Sequence, residues 1–207
     1  MELALIVAMS MFSLSMSISP GPVNMVIVAS GATHGFWRTF PFVSGATLGF
    51  TLLLIVVGFW LLEVMDAYPV FLEYLGVAGS AFIVYVGCRI AASRPDGFVA
   101  KSPIPTFVQG VLLQWLNPKA WIACASGAAL FSRPGTPTSL IVFMAIYFVV
   151  CYLSLAAWAV LGDRASILLN SARRIRIFNL TLGAMLIATA SYMMYLQFFT
   201  AHPASGS

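Results

Sequence analysis

Charge is what this sequence has least of. Asp, Glu, Lys and Arg make up 8% of its 207 residues, where a soluble domain carries roughly 25%. A chain that is 61% hydrophobic, with a mean hydropathy of +0.98, cannot cover its surface with polar groups in water. Soluble enzymes, secreted disulfide scaffolds and DNA-binding modules are thereby excluded, and an integral membrane protein is left. The three cysteines, Cys88, Cys124 and Cys151, are far apart, odd in number and set in apolar runs. They form no CxxC pair and have no zinc spacing, so they read as small core residues. There is no P-loop, no HExxH and no Ser/His/Asp pattern, hence neither an ATP site nor an intramembrane enzyme. No cofactor and no metal is expected. Met1-Glu2-Leu3 lacks the positive start of a cleaved signal peptide, so the first apolar run is expected to stay in the mature protein.

What is present is apolar length. A helix needs about 20 apolar residues to cross a bilayer core about 30 Å thick. Six runs qualify: residues 3–32, 39–62, 68–91, 107–131, 139–161 and 177–199. They are too long and too little alternating for a β-barrel. The predicted fold class is an all-α integral membrane protein, with residues 1–207 as one membrane domain and Ala201–Ser207 as a frayed tail.

The net charge of +4 reads as a topology signal rather than as nucleic-acid binding. With the N-terminus outside, Arg38, Arg89, Arg94, Lys101, Arg164, Arg173, Arg174 and Arg176 all fall on the inner side, against Arg133 alone outside. The second loop and its flanks hold Glu63, Asp66 and Glu73 and no base. Both termini are therefore predicted outside the cytoplasm. Trp37, Trp60, Tyr68 and Tyr74 fall near predicted helix ends, as interfacial aromatics do.

The chain also repeats itself. At an offset of 96, Pro22 falls on Pro118, Ala29-Ser30-Gly31-Ala32 on Ala125-Ser126-Gly127-Ala128, and Pro41 on Pro137, each of these last two predicted just before its next helix. Leu75-Gly76 and Leu182-Gly183 are a weaker match. Two halves of three helices each, residues 1–95 and 102–200, insert in opposite orientations, the plan of many secondary transporters. Duplication without transport is the alternative.

Spans one and four are interrupted at matching places, Ser19-Pro20-Gly21-Pro22-Val23-Asn24 and Gln114-Trp115-Leu116-Asn117-Pro118-Lys119. Proline removes a backbone donor and suits the first helical position, with Ser19 or Asn117 as the N-cap. Each run should thus divide into two half-helices. A new helix N-terminus presents free amides and partial positive charge to an anion such as a carboxylate. The amides of Val23 to Met25 and of Lys119 to Trp121 are the candidates. The first break comes nearly twenty residues in and the second about ten, so span one must tilt or protrude for the two to meet.

Lys119 is the one charge deep in a span, with no acid at its depth. Such a charge faces a cavity or a partner, and a substrate carboxylate is a fitting one. Gln109, Gln114 and Asn117 share its run and either line that cavity or bond neighbouring helices. Gly31-x-x-x-Gly35 and Gly45-x-x-x-Gly49 read as close helix packing, with a homodimer seam as the alternative. His34 reads as a solvated loop histidine, and Met9, Met11 and Met16 as core or lipid-facing residues.

SPGPVN, GATHGF, the GATLG of the second span and LNPKAW together resemble the LysE/RhtB family of bacterial amino-acid exporters over essentially the whole chain. Many members read Pro-Gly-Pro-Asn; here Val23 separates Pro22 from Asn24. The ASGATHGF stretch is similar to the cysteine and O-acetylserine exporter branch. The resemblance implies ion-driven export of small amino acids across the bacterial inner membrane, and it supplies the direction. The substrate-binding residues then expected are Ser19, Pro20, Gly21, Pro22, Asn24, Gln114, Asn117, Pro118 and Lys119. With no acid in the membrane, neutral or polar amino acids of the cysteine, homoserine or threonine type are favoured over cationic ones. The rivals are a transporter of another small solute and a non-transporting scaffold subunit.

Overall fold

A computed structural model of the chain describes residues 3–61, 69–92, 103–132, 137–168 and 171–200, and no strand occurs among them. The helices are α1 (Leu3–Ile18), α2 (Pro22–His34), α3 (Phe36–Val56), α4 (Pro69–Ala92), α5 (Phe107–Trp115), α6 (Pro118–Phe131), α7 (Thr138–Leu168) and α8 (Ala172–Thr200). A π-helical turn, Val57–Leu61, prolongs α3. Glu63, Asp66, Tyr68, Arg94, Lys101, Arg133 and the tail from Ala201 lie outside the described residues.

Three stretches are long and apolar enough to cross a membrane: Phe36–Trp60, Thr138–Ala165 and Arg173–Tyr192. The pair α1 and α2, bent by 59°, makes a fourth if counted as one span. The predicted third span corresponds to α4, 24 residues long, which includes the apolar stretch Val77–Ala92. The fourth is divided into α5 and α6, nine and 14 residues long.

Both divisions fall where proline forbids continuation. Ser19 N still donates to Ser15 O at 3.3 Å, but Pro20 and Pro22 have no N–H to extend the ladder. Pro22 and Pro118 each take the first position of a new helix, so the offset of 96 marks equivalent helix starts. The other proline pair departs from expectation. Pro137 does precede α7, but Pro41 lies inside α3, because that helix begins three residues early, at Phe36. Gly35, at φ 84°, makes the turn between α2 and α3, a conformation that costs glycine little.

Glycines carry the packing. A side chain at Gly45 or Gly49 would run into Phe107 or Val111 of α5, and one at Gly110 into the α3 backbone at Phe42 and Ala46. Gly31 abuts Ala159 and Gly162 of α7, while Gly162 abuts Val28 of α2. Both small-residue motifs make close contacts within the chain, in line with the packing reading. Gly87 of α4 and Gly183 of α8 face each other. They too are 96 apart.

The core holds Phe42, Val43, Leu53, Phe143 and Tyr147, while Leu3, Trp37, Trp60 and Leu153 stand 66–80% exposed. Large apolar side chains on the outside are what a bilayer solvates. Trp37 and Trp60 flank the two ends of the α3 span, as interfacial aromatics should. Met9 is buried and Met11 exposed, as read. Cys124 and Cys151 are buried, but Cys88 is exposed on α4, against its reading as a core residue.

Candidate functional site

The two interruptions meet. Lys119, the second residue of α6, reaches across to the end of α1. Its Nζ donates to Ser19 O at 2.8 Å, Ser19 Oγ at 2.7 Å and Pro20 O at 3.5 Å. These acceptors lie at the carbonyl end of α1, where a cation is favourable. Asn24 works on the same end, its Nδ2 donating to Ser17 O at 3.0 Å and to Ser19 O at 3.3 Å. The mismatch in depth is met by the 59° bend and by overhang. Phe131, the last residue of α6, packs on Phe12 with ring centroids 5.7 Å apart, so Leu3 to Met11 extend beyond it.

The two new helix N-termini are not equivalent. Asn117 caps α6: its side chain accepts from Lys119 N at 3.2 Å, and its carbonyl accepts from Ala120 N at 2.9 Å and Trp121 N at 3.4 Å. The amides of Lys119 to Trp121, expected to be free for a carboxylate, are thus taken. The expected Ser19 cap is also corrected. Gly21 is the N-cap of α2, while the Ser19 hydroxyl donates back to Met16 O at 3.2 Å. Glycine has no side chain to offer, so the amides of Val23 and Asn24 have no side-chain cap. Met25 N is engaged by Gly21 O at 3.0 Å.

A cavity of about 30 Å³ lies against this uncapped end. Five of the nine expected residues line it: Gly21, Asn24, Gln114, Asn117 and Lys119. Asn117 Nδ2 donates to Gln114 Oε1 at 3.5 Å, so these two share one face as their spacing predicts. Ser19, Pro20, Pro22 and Pro118 shape the breaks and do not line the cavity; Pro118 packs on Gly79 of α4. Gln109 is elsewhere. It closes a reciprocal cap with Thr106 at the start of α5.

Sequence reasoning missed Ser17, Tyr147 and Cys151, which add further polar groups to the lining. Ser13 and Ser17, four apart on α1 and both buried, carry the helical spacing that would have flagged an inward polar face. Among the described residues, the lining contains no Asp or Glu.

Gly21 is at φ −161°, which any residue adopts, so its importance is space. A Cβ there would stand 3.2 Å from Lys119 Nζ and 3.3 Å from its Cδ. Gly21→Leu is expected to fill the mouth of the uncapped helix end and cut transport at least tenfold with membrane levels unchanged. Transport equal to wild type in that variant would show that this space is not used.

A second cavity, of about 530 Å³, adjoins the first between α2, α3, α4 and α5. Leu113 lines the larger one and its neighbour Gln114 the smaller. His34, Arg89 and Gln109 sit on the larger cavity's lining. Other links gather the bases at that same end: Arg176 Nη1 donates to Ala91 O at 2.6 Å, and Gly35 lies beside Asp163. Between Thr106 and the second break, the nine residues of α5 run about 14 Å at 1.5 Å per residue, about half the thickness of a bilayer core.

No solved structure matches the chain. Among curated proteins it is similar to cysteine/O-acetylserine efflux proteins of Escherichia coli K12 and of Shigella flexneri, each 31% identical over 129 residues. Those alignments cover 60% of this chain and 64% of the relatives, so the chain spans less than two thirds of the proteins it resembles. The LysE type translocator family matches over residues 14–197, through both breaks and all but the ends of the sequence. This protein, with apolar helices for a membrane and a lysine where its two broken helices meet, belongs to the LysE type translocator family.

Proposed function

We propose that the chain exports small neutral or polar amino acids, of the cysteine or O-acetylserine kind, across the bacterial inner membrane by alternating access. The observation that carries this reading is the pairing of Lys119 with the uncapped N-terminus of α2 around one acid-free cavity. A carboxylate placed there would meet an ammonium and backbone amides together, both favourable to an anion. A cationic side chain would find no counter-charge. The relatives' printed names, cysteine/O-acetylserine efflux protein, supply the substrate type and the outward direction.

The rest of the reading follows from the repeat. Six crossings in two inverted halves, 1–95 and 102–200, with both termini outside, would give two similar conformations, each open to one side. The bases around the larger cavity support placing that cavity on the cytoplasmic side, as the entry vestibule. An ion gradient would drive the cycle.

Cells making the protein, fed dipeptides to raise internal amino acids, test the proposal by chromatography of the medium. One or a few small neutral amino acids are expected to appear faster than in control cells. No acceleration of any amino acid, with the protein confirmed in the membrane, would overturn it in favour of another solute.

A further inference from the structure

Resting on the export reading, we infer that Ser17, Tyr147 and Cys151 form the subsite that reads the substrate's side chain, and that it selects a small uncharged group able to accept a hydrogen bond. All three line the small cavity with Lys119 and Gly21. Ser17 is two residues from Ser19, the lysine's partner.

The independent observation is at Ser17. The hydroxyls of Ser10 and Ser13 bond back to Ile6 O and Met9 O, at 2.8 and 2.7 Å, the usual way for serine to be satisfied in an apolar helix. Ser17 Oγ does not. It is buried, on a residue 7% exposed, and makes no hydrogen bond. The Tyr147 hydroxyl and the Cys151 thiol are its polar neighbours, without bonding geometry. An unpartnered buried hydroxyl is costly and is retained where something else completes it. A ligand oxygen or sulfur at this end of the cavity would do so.

Size and charge complete the selection. The cavity holds about 30 Å³, and Phe50 stacks on the Tyr147 ring at 4.4 Å, which walls off bulky side chains. With no acid in the lining, a basic side chain has no partner. Hydroxyl, thiol and acyl-ester side chains remain.

The test compares efflux of serine and cysteine with that of 2-aminobutyrate, which has similar size and no polar side-chain group. Wild type, Ser17→Ala, Tyr147→Phe and Ser17→Thr are assayed at matched membrane levels. Wild type is expected to prefer the polar substrates, because a site built to bond a group rejects the analogue that lacks it. Ser17→Ala and Tyr147→Phe should each shrink that preference about tenfold, by lowering serine and cysteine efflux more than 2-aminobutyrate efflux, and Ser17→Thr should keep it. A purely structural role would lower all substrates together. Unchanged preference in both variants, or loss equal for all substrates, overturns the subsite and leaves the exporter. Absence of amino-acid efflux in wild type overturns both.

Discussion

Lys119→Ala is expected to abolish efflux while the protein still reaches the membrane. The ammonium has two roles, and they differ in size. It satisfies the carbonyl end of α1 through Ser19 and Pro20. Of these acceptors, Ser19 O keeps a second donor in Asn24 and the Ser19 hydroxyl can rotate. The structural loss is therefore about 1–3 kcal/mol, tolerable for a packed bundle. For a bound carboxylate the ammonium is the only cation on the cavity lining among the described residues. Removing one partner of such a desolvated pair costs about 2–5 kcal/mol, a fall of about thirtyfold or more. Lys119→Arg is expected to fail as well, because the planar guanidinium is wider than an ammonium and the space beside Gly21 is tight, a Cβ added there standing only 3.2 Å from Lys119 Nζ. Efflux rates for both variants, set against immunoblots of washed membranes, check this. Wild-type efflux from Lys119→Ala would mean that the lysine only holds α1 and that the binding site lies elsewhere.

Gly45→Val should have the largest effect on the fold. A Cβ at position 45 would lie 2.7 Å from Phe107 C and 2.9 Å from its Cα, and closer still to its carbonyl oxygen. These are backbone atoms and cannot rotate away. Gly110 faces the α3 backbone from the opposite side, so the helices meet with no side chain between them and must separate to admit one. Overpacking of this kind costs about 1–3 kcal/mol where side chains can adjust, and here backbone must move, so the upper end applies. Separation also carries function away, since Trp115 on α5 holds Gly49 O through its indole at 3.1 Å and leads directly into Asn117 and Lys119. The expected result is loss of detergent-stable protein and of efflux together. Leu52→Ala on the same helix, at a position 50% exposed, should change neither by much. Thermal stability by fluorescence-detected size exclusion separates the two. A Gly45→Val protein as stable as wild type would show that α3 and α5 do not meet as described.

The helical class, the two breaks, their first-position prolines and the importance of Lys119 were all legible in the residues. Each depends on local chemistry: apolar length, a missing N–H, a charge without a neighbour. The errors share a cause as well. Ser19 was read as a cap because serine caps well, but the chain needed two more residues to turn by 59°, which moved the cap to Gly21. Pro41 was placed outside its helix because proline disfavours helix interiors, yet the turn at Gly35 allows α3 to begin earlier. The amides of α6 were counted as free although Asn117, itself named as a cap, consumes them.

Composition settled the solvent of this protein, and proline spacing settled where its helices break, because both act within a few residues. Which break faces a ligand was decided by packing. Two helix starts 96 residues apart differ because one is capped by asparagine and the other by a glycine beside Lys119, and no local rule brings that lysine to α1. The same holds for Ser17, Tyr147 and Cys151. They lie on two helices far apart in the chain, and become one surface because α1 packs on α7, with the Phe12 ring against Phe143 and Tyr147.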